Sequence, residues 1–118
     1  MIETSKGPAR FLEYPAKRAR VTLVLGHGAG GGGIAPDLAA IPEHLPGHGV
    51  SVLLHEQPWK VAGKKVAAAP PVLDVAGIES LATLTPRGRL IVGGRSAGAR
   101  VACRTATEVG ASAVLALA

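Results

Sequence analysis

The chain has 118 residues and a formal net charge of +5, and nearly half of its residues (47%) are hydrophobic. This length suits one domain, no apolar run reaches the roughly 18 residues of a membrane helix, and the N-terminus lacks the pattern of a signal peptide. The single cysteine excludes an internal disulfide and fits a reducing compartment. We therefore expect one cytoplasmic domain without a membrane partner.

The positive charge is scattered rather than clustered, since the thirteen lysine and arginine residues occur along most of the chain. Nucleic-acid surfaces usually combine such charge with stacking aromatic side chains or with a recognisable binding motif. Only three aromatic residues are present, Phe11, Tyr14 and Trp59, and no such motif is visible. The pattern predicts a solvated basic surface and no nucleic-acid partner.

The first half of the sequence alternates between predicted strands and helices. Residues 7–14 are expected to form an edge strand. The apolar, β-branched run 21–25 is typical of a strand that is buried on both faces of a parallel sheet. That run stops at the glycine-rich loop 26–33. A helix is expected to begin near Pro36 and to place Leu38 on its buried side.

The second half continues this alternation. Its predicted elements are a strand over 50–55, a loop over 56–69, a helix opened by Pro70 and Pro71, a strand over 90–92, a helix over 97–109 and a buried strand over 113–118. The buried side of the helix opened by the two prolines is expected to consist of Leu73, Ile78, Leu81 and Leu84.

Strands that alternate with helices indicate an α/β fold, with a mostly parallel sheet, right-handed crossovers and helices on both faces. Two glycine-rich loops, 26–33 and 93–98, each follow a predicted buried strand. The carboxyl ends of parallel strands lie along one edge of a sheet, and active groups of such folds are found there. We therefore expect the two loops to meet at this edge.

The second loop contains Gly94-x-Ser96-x-Gly98, which is the spacing of a nucleophile elbow. Glycines without Cβ atoms allow a strand and a helix to approach closely enough to hold a serine in a strained turn. The N–H of Ala97 would then lie at the start of a helix, where it can donate to a developing oxyanion. The pattern predicts a nucleophilic Ser96 at the sheet edge.

Residues 27–30 read His-Gly-Ala-Gly and residues 93–100 read Gly-Gly-Arg-Ser-Ala-Gly-Ala-Arg. With these two segments the chain resembles the α/β-hydrolase fold, and more narrowly the KANL/Tex-like branch, which is related to the dienelactone hydrolases. The resemblance extends over nearly the whole chain. It implies a three-layer αβα fold and a serine hydrolase of the esterase or acyl-hydrolase type, acting on a small ester-like substrate without a cofactor.

The resemblance also implies roles for individual residues. Ser96 would be the nucleophile, and the backbone N–H groups of Ala97 and Ala29 would form the oxyanion hole. The supporting residues of the two loops would be His27, Gly28, Gly30, Gly94, Arg95 and Gly98. Some members of this branch have no proven activity or serve in larger assemblies, so membership does not by itself imply turnover.

The catalytic acid and base of the family are missing from the expected positions. In this fold the triad follows the order serine, then aspartate or glutamate, then histidine. After Ser96 there is one acidic residue, Glu108, and no histidine. The four histidines that precede the serine are His27, His44, His48 and His55; only the last, at the end of a strand, is a candidate substitute base.

Without a base, serine is a poor nucleophile. We therefore expect the 118 residues to be the N-terminal part of a longer hydrolase, inactive alone, with the acid and base in the continuation of the chain. The open edge of the last predicted strand would favour self-association.

Two other interpretations stay open. The spacing Gly26-x-Gly28-x-x-Gly31 after a strand, with Glu56 at the end of the next strand, also fits a dinucleotide-binding fingerprint. Alternatively, the domain is a non-catalytic scaffold that binds partners through its α/β surface. No cluster of histidine, cysteine or aspartate has metal-ligand spacing, so we expect no metal site.

Three further residues carry expectations. Cys103 is predicted to be a small buried hydrophobic residue of the helix after the elbow. Arg95 either approaches an anionic substrate or makes a structural contact with the loop 28–33. Trp59 either caps the pocket or packs beneath the loop, and the sequence does not decide between these two positions.

Overall fold

The computed structural model describes residues 1–29 and 35–117. The strands are β1 (Ile2–Thr4), β2 (Gly7–Tyr14), β3 (Val21–Gly26), β4 (Val50–Glu56), β5 (Arg89–Arg95) and β6 (Ala113–Leu117). The helices are α1 (Pro36–His44), α2 (Pro58–Val61), α3 (Pro70–Ala82) and α4 (Ala97–Thr105), with a short 3-10 helix at Leu45–His48. None of these helices is long and apolar enough to cross a membrane.

The strands form one sheet in the order β1-β2-β4-β3-β5-β6. Neighbours are parallel from β4 through β3 and β5 to β6, whereas β1 and β2 are antiparallel. The predicted α/β class with a mostly parallel sheet is therefore confirmed. The carboxyl ends of β3, β4 and β5 lie side by side, because Gly26 is in register with His55 on one side and with Gly94 on the other.

Strand β3 lies between β4 and β5 in the parallel part of the sheet, and four of its six residues are buried. Leu23 and Leu25 face a core cluster that includes Leu38 of α1, and the intervening Val24 faces a second cluster that includes Ala102 of α4. This alternation is the two-residue period of a strand that is covered by helices on both faces. It confirms the expected arrangement of helices on the two sides of the sheet.

Several predicted elements differ from the observed ones. Strand β2 is internal in the sheet rather than at its edge, because β1 pairs with its outer side. The predicted loop 56–69 contains the single turn α2, and the helix after the elbow ends at Thr105 rather than at residue 109. These are short or terminal features, which apolar periodicity resolves poorly.

The predicted buried side of α3 is confirmed in part, since Leu81 and Leu84 are partly buried and pack against the core cluster that contains Val24. Leu73 is buried, but the other buried residues of the helix are the small ones, Ala76, Gly77 and Ser80. A Cβ atom on Gly77 would lie 3.2 Å from Cγ1 of Val101 in α4. A residue without a side chain thus allows the two helices to approach closely at this point.

Strand β6 was predicted as a buried strand, yet its residues 113–116 are exposed. In the described part of the chain β6 pairs with β5 alone and lies at the edge of the sheet. Val114 and Leu115 are 38% and 37% exposed. An apolar sequence therefore indicated a strand correctly but did not indicate how many neighbours cover it.

Candidate active site

The candidate site lies where β3 and β5 end. The two strands are in parallel register up to Gly26 and Gly94, and the chain then leaves both strands at the same edge of the sheet. Ser96 follows β5 directly and precedes α4, and its side chain is exposed at this edge. The structure therefore brings the described start of the first glycine-rich segment next to the second segment.

Ser96 occupies a strained corner between strand and helix. Among the described residues it is the one non-glycine residue with a positive φ, with φ 54° and ψ −115°. Such a conformation costs about 1–3 kcal/mol and persists only where the surroundings hold it. The corner is held by backbone hydrogen bonds: Ser96 N–H donates to Leu117 O at 3.3 Å, and Arg100 N–H donates to Ser96 O at 3.1 Å.

Close contact of main chains explains the glycines around the serine. A Cβ atom on Gly94 or on Gly98 would overlap the carbonyl oxygen of Gly26. No side-chain rearrangement relieves an overlap with backbone, so only glycine fits at these two positions. The end of β3 and the start of α4 are thus in direct contact, and Ser96 lies between the two glycines that permit it.

The first loop passes directly beside the serine. A Cβ atom on Gly28 would lie 3.5 Å from Cβ of Ser96 and 3.5 Å from the carbonyl oxygen of Arg95. Ala29 follows and is exposed, and Ala97 is the first residue of α4. Both candidate oxyanion donors therefore lie within one or two residues of this contact, whereas Gly30 falls outside the described residues.

His27 is buried beneath the loop and both of its ring nitrogens are occupied. The N–H of Gln57 donates to Nε2 at 3.0 Å, and Nδ1 lies 2.8 Å from the carbonyl oxygen of Gly28. Burial lowers the pKa of His27 below its usual 6.5, against a smaller opposing effect of the bond to Gly28. His27 is therefore a neutral structural ring rather than a free base.

Gln57 and Trp59 form a second layer under this ring. The indole Nε1–H of Trp59 donates to Oε1 of Gln57 at 2.6 Å, and the Trp59 ring meets the His27 ring edge-on with centroids 5.4 Å apart. Both residues are almost completely buried. Trp59 thus packs against His27 at the start of the loop and is buried. No signal in the sequence points to Gln57, because nothing local distinguishes a buried glutamine in a segment that is predicted to be a loop.

The candidate substitute base, His55, is directed away from the serine. Its Nε2 atom forms a hydrogen bond of 3.0 Å with Oγ of Ser80 in α3. Burial, together with the nearby His27, lowers the pKa of His55 to about 4. His44 ends α1 and His48 ends the following 3-10 helix. In the part of the chain that the structure describes, no histidine forms a hydrogen bond with Ser96.

Arg95 forms an ion pair with a residue of α1. Its Nη1 lies 2.7 Å from Oδ2 of Asp37, and both side chains are partly exposed, at 42% and 35%. The pair ties the corner before Ser96 to the first turn of α1. Cys103, which was predicted to be buried, is exposed, because it lies on the side of α4 that faces away from the sheet core.

The dinucleotide alternative depends on Gly31, which lies outside the described residues, and it therefore stays a prediction. Within residues 1–29 and 35–117, no three histidine, cysteine or acidic side chains are grouped so that they could hold a metal ion.

Comparison with known proteins gives the family. Among solved structures, the chain is similar to XC6422 from Xanthomonas campestris, described as a member of the α/β serine hydrolases without a lid. The TM-score is 0.74 at 18% identity, over 98% of this chain but 57% of that one, so the chain spans little more than half of its neighbour. No curated protein matches the chain. The model of the alpha/beta hydrolase domain matches residues 19–118, and the chain therefore belongs to the α/β-hydrolase domain family.

Proposed function

We propose that this domain is the nucleophile-bearing part of a serine hydrolase that cleaves ester-type bonds of small molecules. The observation that carries the proposal is the strained backbone of Ser96 in contact with the Gly28 segment. An unstrained turn would be more stable, so strain of this kind is found mainly where a functional site requires it. It exposes a hydroxyl group at the sheet edge, next to backbone N–H groups.

In the proposed reaction, Oγ of Ser96 attacks the carbonyl carbon of the ester and its proton passes to a general base. The carbonyl electron pair moves to oxygen, and the resulting oxyanion accepts hydrogen bonds from the N–H groups of Ala97 and Ala29. Collapse of this intermediate breaks the bond to the alcohol, which takes up the proton. Water then releases the acyl group from Ser96 by the same sequence of steps.

The general base and its acidic partner are not supplied by the residues described above. His27 is occupied by Gln57 and Gly28, and His55 by Ser80. We therefore propose that the 118 residues alone do not turn over, and that a histidine and a carboxylate of the complete protein complete the triad. The coverage of only 57% of the neighbour's length is consistent with this division.

The narrower assignment to the KANL/Tex-like branch belongs to the same proposal. It is supported by residues 93–100, where Arg95 and Arg100 flank the elbow. The neighbour is described as a serine hydrolase without a lid. The exposed Ser96 fits a similarly open site, which would accept small esters without a conformational gate.

The proposal is tested with a fluorophosphonate probe on the protein expressed from its native gene. Intact-mass and peptide analysis should show one adduct on Ser96, and Ser96→Ala should remove it. Ser112→Ala is the matched control, because Ser112 is an exposed serine beside the start of β5, whereas the elbow follows its end, and it should leave labelling unchanged.

Two outcomes would contradict the proposal. Absence of labelling on Ser96 in the complete protein would favour the non-catalytic scaffold. Tight binding of a nicotinamide nucleotide in calorimetry, without labelling, would favour the dinucleotide alternative. Labelling of the complete protein but not of residues 1–118 alone would support the proposed division of the triad.

A further inference from the structure

We propose that His27 is the positioning residue of the oxyanion hole: as a neutral ring it holds the Gly28 carbonyl group and thereby presents the N–H of Ala29 to the substrate side. This inference rests on the proposed function, since it assigns a donor to the same site. It adds a residue that does not contact substrate but sets the direction of one that does.

The first step is the tautomer of the ring. A backbone N–H can only donate, so the contact from Gln57 N–H at 3.0 Å requires Nε2 of His27 to be the unprotonated acceptor. The single proton of the neutral imidazole is then on Nδ1. This proton is donated to the carbonyl oxygen of Gly28, 2.8 Å away. The Gln57 amide therefore selects the tautomer that binds the loop.

The second step is the planarity of the peptide bond. In a trans peptide the C=O of one residue and the N–H of the next lie in one plane and point in opposite directions. Because His27 draws the Gly28 carbonyl inward, the N–H of Ala29 must point away from the buried ring. Ala29 is exposed and follows the glycine that contacts Ser96. One hydrogen bond thus determines the direction of a candidate oxyanion donor.

The third step is the rigidity of the ring. His27 is 9% exposed and packs edge-on against Trp59. The bond from Trp59 Nε1 to Oε1 of Gln57 fixes the segment that carries the Gln57 amide. A donor that is held in place before the reaction stabilises an oxyanion better than one that must be ordered during it. The three residues form a buried support for one exposed N–H group.

Protonation of the ring should break the hydrogen bond between Gln57 N–H and Nε2 of His27. An imidazolium ion carries a proton on both nitrogens, so Nε2 would face the Gln57 N–H donor without an acceptor. The charged and titratable groups around the ring are Lys60, whose charge lowers the pKa of His27, Glu56, whose charge raises it, and the buried His55. Burial has the largest effect and favours the neutral form.

The two amide analogues of histidine separate the two bonds. In His27→Asn, the side-chain NH₂ takes the place of Nδ1 and keeps the donor to Gly28. In His27→Gln, the longer side chain places its amide near Nε2 and loses that donor. In the complete protein, kcat for a small ester should fall about 100-fold in His27→Gln, with KM little changed, because one oxyanion donor is misdirected.

In His27→Asn, which keeps the donor to Gly28, kcat should stay within about tenfold of the wild-type value. His48→Asn, at the exposed end of the 3-10 helix, is the matched control and should not alter kcat. Equal losses in the asparagine and glutamine variants, or a loss carried by KM, would overturn the positioning role. Absence of Ser96 labelling in the wild type would instead overturn the proposed function, and the positioning role with it.

A second measurement does not depend on the variants folding or on turnover. Nitrogen-15 NMR of the imidazole in the wild-type complete protein at neutral pH should show protonated Nδ1 and unprotonated Nε2. Lowering the pH should change this ring signal together with the amide signals of Gln57 and Ala29. A ring protonated on Nε2, or an imidazolium ion at neutral pH, would overturn the inference.

Discussion

At both ends of the β3–β5 pair a glycine lies in close contact with the backbone of another segment, but the side chains around the two contacts differ. At the carboxyl end, Gly98 lies against the main chain of Gly26, and at the amino end Gly88 lies against the main chain of Arg20. In both places a Cβ atom would overlap backbone. Close approach through glycine is therefore a property of the sheet and does not by itself mark a site.

The difference lies in the polar groups that are buried at each end. At the amino ends, the hydroxyl of Thr22 exchanges hydrogen bonds with the backbone of Arg87, and the hydroxyl of Ser51 accepts one from Ala16 N–H. At the carboxyl ends, the buried polar side chains include Gln57 and the imidazoles of His27 and His55. The buried hydrogen bonds named at the amino ends involve no titratable side chain, whereas those at the carboxyl ends involve two histidines.

The largest expected effect is that of a Cβ atom at the carboxyl end. Gly98→Ala should lower the free energy of unfolding by about 4 kcal/mol, because the added atom would overlap the backbone of Gly26 and His27. Denaturant titration measures this change. Gly47→Ala is the matched control, since nothing lies within 4 Å of a Cβ there, and it should change stability by no more than about 0.5 kcal/mol.

Gly88→Ala tests the comparison between the two ends. It should also be strongly destabilising, because it meets the Arg20 backbone and has a φ of 74°. If the variant folds, however, fluorophosphonate labelling of Ser96 in the complete protein should persist. Loss of labelling in a folded Gly88→Ala variant would show that the two ends are coupled, contrary to our interpretation.

The second effect is a dependence of stability on pH that originates at the carboxyl end. The pKa of His55 is lowered from 6.5 to about 4 in the folded state, so the unfolded state binds more protons between these values. The stabilisation is complete above pH 6.5 and is lost as the pH falls towards 4, by about 3 kcal/mol. The lowered pKa of His27 adds to the loss in the same direction.

Variants separate the contribution of His55 from the effect of low pH on the rest of the protein. In urea titrations between pH 7 and 4, His55→Gln should reduce the slope of stability against pH, whereas His48→Gln should retain it. Thr22→Val at the amino end should lower the free energy of unfolding by about 1–2 kcal/mol at every pH, since it removes hydrogen bonds of a group that does not titrate. An unchanged slope in His55→Gln would contradict the assignment.

A smaller effect concerns the strain at the elbow. Ser96→Gly should be about 1 kcal/mol more stable than Ser96→Ala, because glycine adopts the backbone angles of this corner without strain. Part of the gain is offset by the greater freedom of glycine in the unfolded chain. Equal midpoints of thermal and urea unfolding for the two variants would mean that the corner is not strained.

The smallest effect is expected for the ion pair beside the serine. A double-mutant cycle with Arg95→Ala and Asp37→Ala should give a coupling energy of about 0.5 kcal/mol that falls with added salt, because both side chains are partly exposed. A coupling above about 2 kcal/mol would mean that the pair is desolvated and belongs to the rigid part of the site.

Local sequence patterns predicted correctly those strands and helices that a short apolar run or a proline marks. The apolar runs 21–25 and 50–55 are central strands, and Pro36 opens a helix, because burial on both faces and the fixed φ of proline act locally. The predicted burial of the strand β6 and of Cys103 is wrong, since the exposure of both depends on which elements lie beside them.

By itself, the sequence determined the order of strands and helices and the places where glycine interrupts them, because these depend on residue types within a few positions. Only the tertiary structure decided that Gly98 rests on Gly26, that Gln57 selects the tautomer of His27, and that small residues of α3 face α4. These are contacts between residues far apart in the chain. Their geometry is set by the packing of whole elements, which no local sequence pattern predicts.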